Sequence, residues 1–178
     1  MSELEEEWAR ALAEAENRAR AAGRGDIAEY LSLRASNDLA RKAAVDWLFN
    51  AFTDFAGSAN RTGASVQLTR ADAHRFRVGS TTMVGTLLTF RQGVRALMIE
   101  AGWPRAPVDG FMRGGGLASG RVRHFGIPSA DEELLLIRSQ PADAPQWFVL
   151  EKTGARSQFR EERVRRHVER FLGEGQDK

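Results

Sequence analysis

The chain has 178 residues, no Cys, 42% hydrophobic residues and 28% charged residues. That length and composition fit a single domain, 1–178, of ordinary globular type, and they exclude collagen, gross disorder and a membrane-spanning bundle. With no Cys there are no disulfides, no thiolate catalysis and no sulfur-ligated zinc site. Net charge is only +2 while the pI is about 9.5. The gap arises because 23 Arg stand beside 3 Lys and few groups titrate between the carboxylates and the lysines. The high pI is therefore weak evidence for a polyanionic partner.

Charge is uneven along the sequence. Residues 1–60 carry a balance of −4, residues 61–125 one of +7 and residues 126–178 one of −1, and all ten cations of the middle stretch are Arg. The start is acidic (Glu3, Glu5, Glu6, Glu7) rather than basic and apolar, unlike a secretory signal. No stretch approaches the ~20 apolar residues of a spanning helix. The expectation is a cytoplasmic protein with no membrane partner.

Residues 1–60 read as helical. Ser2 and Glu5 form an S-x-x-E capping pattern. Leu4, Trp8, Leu12, Ala15 and Ala19 then recur at helical spacing up to the stop at Gly23 and Gly25. Asp26 can cap a second helix through Ile27, Tyr30, Leu31 and Leu33. Ser36-Asn37-Asp38 is either a break or a polar patch on one long helix. Ala44, Leu48, Phe52 and Phe55 continue the period, with Val45, Trp47 and Phe49 widening the stripe, to an end near Gly57 to Gly63.

Residues 64–152 read as about seven short strands. The first two are expected at Val66 to Thr69 and Arg75 to Val78. Thr82 to Phe90 and Val94 to Ala101 form a hairpin about Arg91-Gln92-Gly93. Leu117 to Phe125, Glu133 to Arg138 and Gln146 to Lys152 follow. Short connections favour an antiparallel meander over parallel crossovers. The strands holding Leu97/Ile99, Leu134/Leu136 and Trp147/Val149 are apolar on both faces, so both faces need cover. Helices can supply one cover; the other must be a helix, sheet curvature about a cavity, or a partner subunit. A last helix, 157–173, is expected to be capped by Ser157, to pack through Val164, Val168, Phe171 and Leu172, and to end at Gly173.

The fold class is therefore α+β: N-terminal helices, an antiparallel meander of six to seven strands and a C-terminal helix packed on the sheet. In order alone this is similar to helix-grip, START-like ligand-binding folds. Those begin with a strand that is not seen here, and the likeness carries no residue assignment.

Several groups could carry chemistry. The segment 102–116 holds five Gly and two Pro, and long aperiodic loops inside a domain are often functional. Its Gly114-Gly115-Gly116 could form an anion nest beside Arg105 and Arg113; alternatively the segment is a strand-linking loop whose Gly and Pro merely set turns, with Trp103 as a lid on the core. His74 and His124 could converge if their strands come close. His167 reads as packing on its helix. Glu100, on an otherwise apolar strand, could orient a ligand or pair with one of the many Arg. These residues (Trp103, Arg105, Arg113, His74, His124 and Glu100) are the candidate ligand-binding set. Arg75 and Arg77 share one strand face, and Arg121 and Arg123 another, giving a candidate surface patch with the chemistry to grip phosphates. No catalytic residue, metal or cofactor is assigned: the P-loop, G-x-S-x-G and H-E-x-x-H patterns are all missing.

The leading expectation is a non-catalytic binding or assembly protein that forms a homo-oligomer. The alternatives are a pocket between curved sheet and helices, for a small anionic ligand or a reaction, and nucleic-acid binding through the Arg strands.

Overall fold

Two long amphipathic stretches become two helices, α1 (Glu3–Ala21) and α2 (Gly25–Arg61). The computed structural model describes residues 3–112, 114–140 and 142–174; Ser2 of the expected capping pair lies outside them. Gly23 takes φ +71°, the left-handed conformation that ends a helix most easily at Gly. The stretch Ser36-Asn37-Asp38 does not interrupt α2. Its carboxylate is bonded within the helix instead, by Arg41 Nη1 to Asp38 Oδ1 at 2.7 Å.

The chain divides into two units, Met1–Lys42 and Ala43–Lys178. In the first, α1 and the start of α2 bury Leu12, Ala19 and Ala28, while Trp8, Tyr30, Leu33 and Leu39 stay largely exposed. The Arg34 guanidinium lies over the Trp8 ring at 5.1 Å.

The second unit holds the rest of α2, a seven-stranded sheet and a last helix. The strands are β1 (Gln67–Val78), β2 (Thr81–Gln92), β3 (Arg95–Trp103), β4 (Ala118–His124), β5 (Glu132–Ile137), β6 (Gln146–Leu150) and β7 (Arg156–Gln158), followed by α3 (Glu161–Leu172). They pair in chain order, and every pairing is antiparallel. The architecture is the expected α+β meander with a C-terminal helix. Two boundaries differ. The first two expected strands are one, β1, joined through a bulge between Ala71 and His74 at which Ala73 takes φ +55°. Ser157 does not cap α3 but lies in β7. Its hydroxyl donates to Glu151 at 2.7 Å and accepts from Arg163 at 2.9 Å, so it serves side chains rather than helix amides. Gly173 ends α3 at φ +85°.

Alternation places Leu88, Phe90, Leu97, Ile99, Val122, Leu134, Leu136, Trp147 and Val149 on one face, where they form a single buried core with Leu48, Phe49 and Phe52 of α2 and Val164, Val168 and Phe171 of α3. Trp147 Nε1 donates to the Ala44 carbonyl at 2.9 Å, which satisfies the one polar atom this large ring buries.

Part of the other face is covered by the chain itself. The end of the β1–β2 hairpin curls over it with Phe76 and Met83, both buried. Arg121 of β4 reaches the Arg77 carbonyl of β1 at 2.6 Å, a contact that spans three strand spacings, about 14 Å in a flat sheet. Such coiling requires β2 and β3 to approach closely. At Gly85 and Gly102, opposite each other, a Cβ would overlap the Ala101 carbonyl in one case and lie 2.7 Å from Val84 backbone atoms in the other. Farther along, Met112 packs over Gly116 and Leu135, and Thr81 Oγ1 donates to the Phe111 carbonyl at 3.0 Å. The segment after β3 thereby covers a further part of this face, and Arg123 stays 42% exposed.

A Gly85→Ala variant tests this geometry. It is expected to lose about 3 kcal/mol of stability or more, because backbone rather than a side-chain tip must yield. Urea denaturation measures the loss, and Gly79→Ala, in an open turn, controls for backbone strain alone.

Candidate functional site

The second sheet face gathers most of the candidate residues. Glu100 points away from the core side chains Ile99 and Ala101 and is 2% exposed. A carboxylate this buried requires partners. His74 Nε2 lies 2.8 Å from Glu100 Oε2, across β2, at the position where Gly85 carries no side chain. The bulge at Ala73 sets the His74 register. From β4, Arg121 Nη1 stands 3.6 Å and Arg123 Nη2 3.7 Å from Glu100 Oε1. That oxygen accepts no hydrogen bond. It holds the two guanidiniums by charge, at distances just beyond hydrogen-bond reach. Phe76 stacks on His74, with ring centroids 5.9 Å apart, and Arg121 lies over the Phe76 ring at 5.9 Å.

Beside this cluster the 102–116 segment has its own anchor. Asp109, 4% exposed, ends a 3-10 turn (Pro107–Asp109). It accepts the Arg105 and Ala106 amides at 3.1 Å each and Arg75 Nη2 at 2.6 Å. Burial acts to raise its pKa, but the two amides and Arg75 outweigh that, and the carboxyl is held below its ordinary range. Arg105 lies over the Trp103 ring at 3.7 Å, and Trp103 itself belongs to the core. Gly114 and Gly115 both take φ +72°. Arg113 lies outside the described residues.

The structure thus joins His74 with Glu100 and brings Arg121 and Arg123 to them. The four strand arginines do not form one array. Arg75 faces Asp109, and Arg77 contributes only its carbonyl to Arg121. His74 and His124 do not converge. Alternation puts the His124 ring on the helix-covered face, where Leu97 pairs with it.

On that face lies a network the sequence reading missed. His124 Nε2 is 2.9 Å from His167 Nδ1, and His167 Nε2 is 3.1 Å from Glu132 Oε2. Arg163 clamps Glu132 from the other side through Nε and Nη2, at 2.8–3.0 Å. Both imidazoles are buried, and His167 lies among Phe52, Phe159 and His124. Its place near the apolar stripe of α3 is legible in the sequence as packing. The need of a buried imidazole for polar partners was the available signal for more. Burial, with the neighbouring His167 and Arg170, pushes His124 down to about 4. Burial acts to raise Glu132, but His167 and Arg163 bring it down to about 2.

Among the described residues no group of three or more His, Asp and Glu could hold a metal ion, and no helix is long and apolar enough to cross a membrane. Comparison with protein-family models, curated proteins and solved structures finds no match.

Both depressed groups make protonation oppose folding. Stability is expected to be full above pH 6.5, to fall between 6.5 and about 4 as His124 takes a proton in the unfolded chain only, and to fall again from 4.5 toward about 2 with Glu132. Each proton contributes a slope of at most about 1.4 kcal/mol per pH unit. Urea melts across this range measure it. A His124→Gln variant should lose the first leg and keep the second.

Proposed function

We propose that the protein is a non-catalytic binding protein that holds a small anionic ligand against the Arg-bearing second face of its sheet. One observation carries this reading: Glu100 positions Arg121 and Arg123 by charge without taking their N–H groups in hydrogen bonds. Arg123 forms no hydrogen bond among the described residues; its Nε is buried, but the side chain is 42% exposed, so its terminal N–H groups are the donors offered to a ligand carboxylate, which a guanidinium can bind in bidentate fashion. The buried carboxylate then acts as an organiser. It places two cations beside a half-buried imidazole, with Glu133, 3.8 Å from Arg121, as the second acid of the cluster.

Nucleic-acid binding is less favoured. Arg75 is bonded to a buried carboxylate, Arg121 to a backbone carbonyl, and acidic side chains sit among the arginines.

A second reading, self-association, draws on the first unit. Its 42 residues bury little apolar surface, and Trp8 is 49%, Tyr30 62%, Leu33 57% and Leu39 72% exposed. A helical unit so small and so thinly packed gains stability by covering that surface, and a second copy of the chain is the simplest cover.

Calorimetric titration with succinate tests the first reading. Saturable binding is expected, weakened about ten-fold or more in Arg123→Gln, with circular dichroism showing that the variant is still folded. No heat, or equal affinity in the variant, contradicts it. Light scattering tests the second. A dimer is expected at micromolar concentration, with Leu33→Glu giving a monomer; a monomeric parent protein contradicts it.

A further inference from the structure

The helix-covered face carries a second arrangement that the proposed ligand site does not use. Glu132 is a carboxylate and only accepts hydrogen bonds, so the 3.1 Å contact from His167 Nε2 carries a hydrogen on that nitrogen. When both rings are neutral, His167 Nδ1 is a lone pair, and the 2.9 Å contact between the rings must be donated by His124 Nε2. This fixes the tautomer of His124 and leaves its Nδ1 as an acceptor. The side chain is 5% exposed. Its Nδ1 has no hydrogen-bond partner among the described residues and is not among the atoms sealed from solvent.

His124 lines a depression with Arg95, Ala96, Phe125, Ile127, Arg170 and Phe171. Arg95, one of the lining residues, ties the end of α3 by donating Nη1 to the Leu172 carbonyl at 2.6 Å. Arg170, on the last turn of α3, is exposed. Of the acids nearby, Asp131 is committed to the His124 backbone amide at 2.9 Å and Glu132 to His167 and Arg163. The depression presents the two cations Arg95 and Arg170 beside a lone pair, with the charges of Asp131 and Glu132 also acting on His124. A fully deprotonated oxyanion satisfies the cations and meets the lone pair with a second lone pair. An oxyanion that keeps one proton satisfies both.

We propose that this depression is a binding site for hydrogen phosphate, with its anionic oxygens between Arg95 and Arg170 and its remaining O–H donated to His124 Nδ1. The buried chain of Glu132, His167 and His124 serves to hold that acceptor in one tautomer, and no proton transfer is involved.

Long-range proton–nitrogen NMR of imidazole-labelled protein in mildly alkaline solution tests this. In the free protein His124 should show hydrogen on Nε2 and a bare Nδ1. Inorganic phosphate should shift the Nδ1 resonance saturably. Sulfate, similar in size and charge but without a proton, should bind about ten-fold more weakly or worse, the equivalent of one hydrogen bond. Arg170→Gln should weaken phosphate binding without changing the melting temperature. Equal responses to phosphate and sulfate would mean general charge attraction and overturn the proposal. So would no response to phosphate, or a hydrogen on Nδ1 in the free protein.

Discussion

Glu100 is a carboxylate sealed in the middle of a sheet face, and much of the local structure serves to make that tolerable. An uncompensated buried charge costs several kcal/mol, and its own strand supplies no partner. Help comes from two strands away on one side, where His74 donates at 2.8 Å, and from the neighbouring strand on the other, where Arg121 and Arg123 approach to 3.6 and 3.7 Å. For His74 to reach, β1 must bulge at Ala73 and the sheet must coil where Gly85 and Gly102 meet. The same coil brings Phe76 and Met83 over the face and lets Arg121 tie β4 to the backbone of β1. Sheet shape and charge compensation are thus one arrangement.

The two faces of the sheet solve their polar problems differently. The second face places Arg121 and Arg123 around a carboxylate by charge, and Arg121 donates on to the Arg77 carbonyl. The helix-covered face satisfies its imidazoles in series, ring to ring to carboxylate to guanidinium, inside an aromatic enclosure. Each of the three acids of residues 61–125, Asp72, Glu100 and Asp109, has an Arg partner from the same stretch.

The helices and the meander were legible in the sequence because they depend on local periodicity: Ala44, Leu48 and Phe52 at helical spacing, and the two-residue alternation of β3 and β5. Glu100 stood out as the lone acid on an apolar strand, and an Arg partner was foreseeable from numbers alone. Its pairing with His74 was not, since it depends on a bulge and a glycine crossing that no period encodes. The expected meeting of His74 and His124 failed for the same reason in reverse: strand alternation sends their rings to opposite faces. The chain from His124 through His167 to Glu132 joins residues 35 and 43 positions apart, and only the docking of α3 brings them together. The short strand β7 is hidden in the sequence because Ser157 resembles a helix cap, and its partners Glu151 and Arg163 come from the folded chain.

The central claim is that Glu100 is energetically coupled to the groups around it rather than merely near them. A double-mutant cycle on stability, with His74→Gln, Glu100→Gln and the pair, measures that coupling most directly. A coupling of about 1 kcal/mol or more is predicted, with the double variant less destabilised than the sum of the singles. Additive effects would mean that the buried carboxylate is compensated elsewhere and would contradict the account.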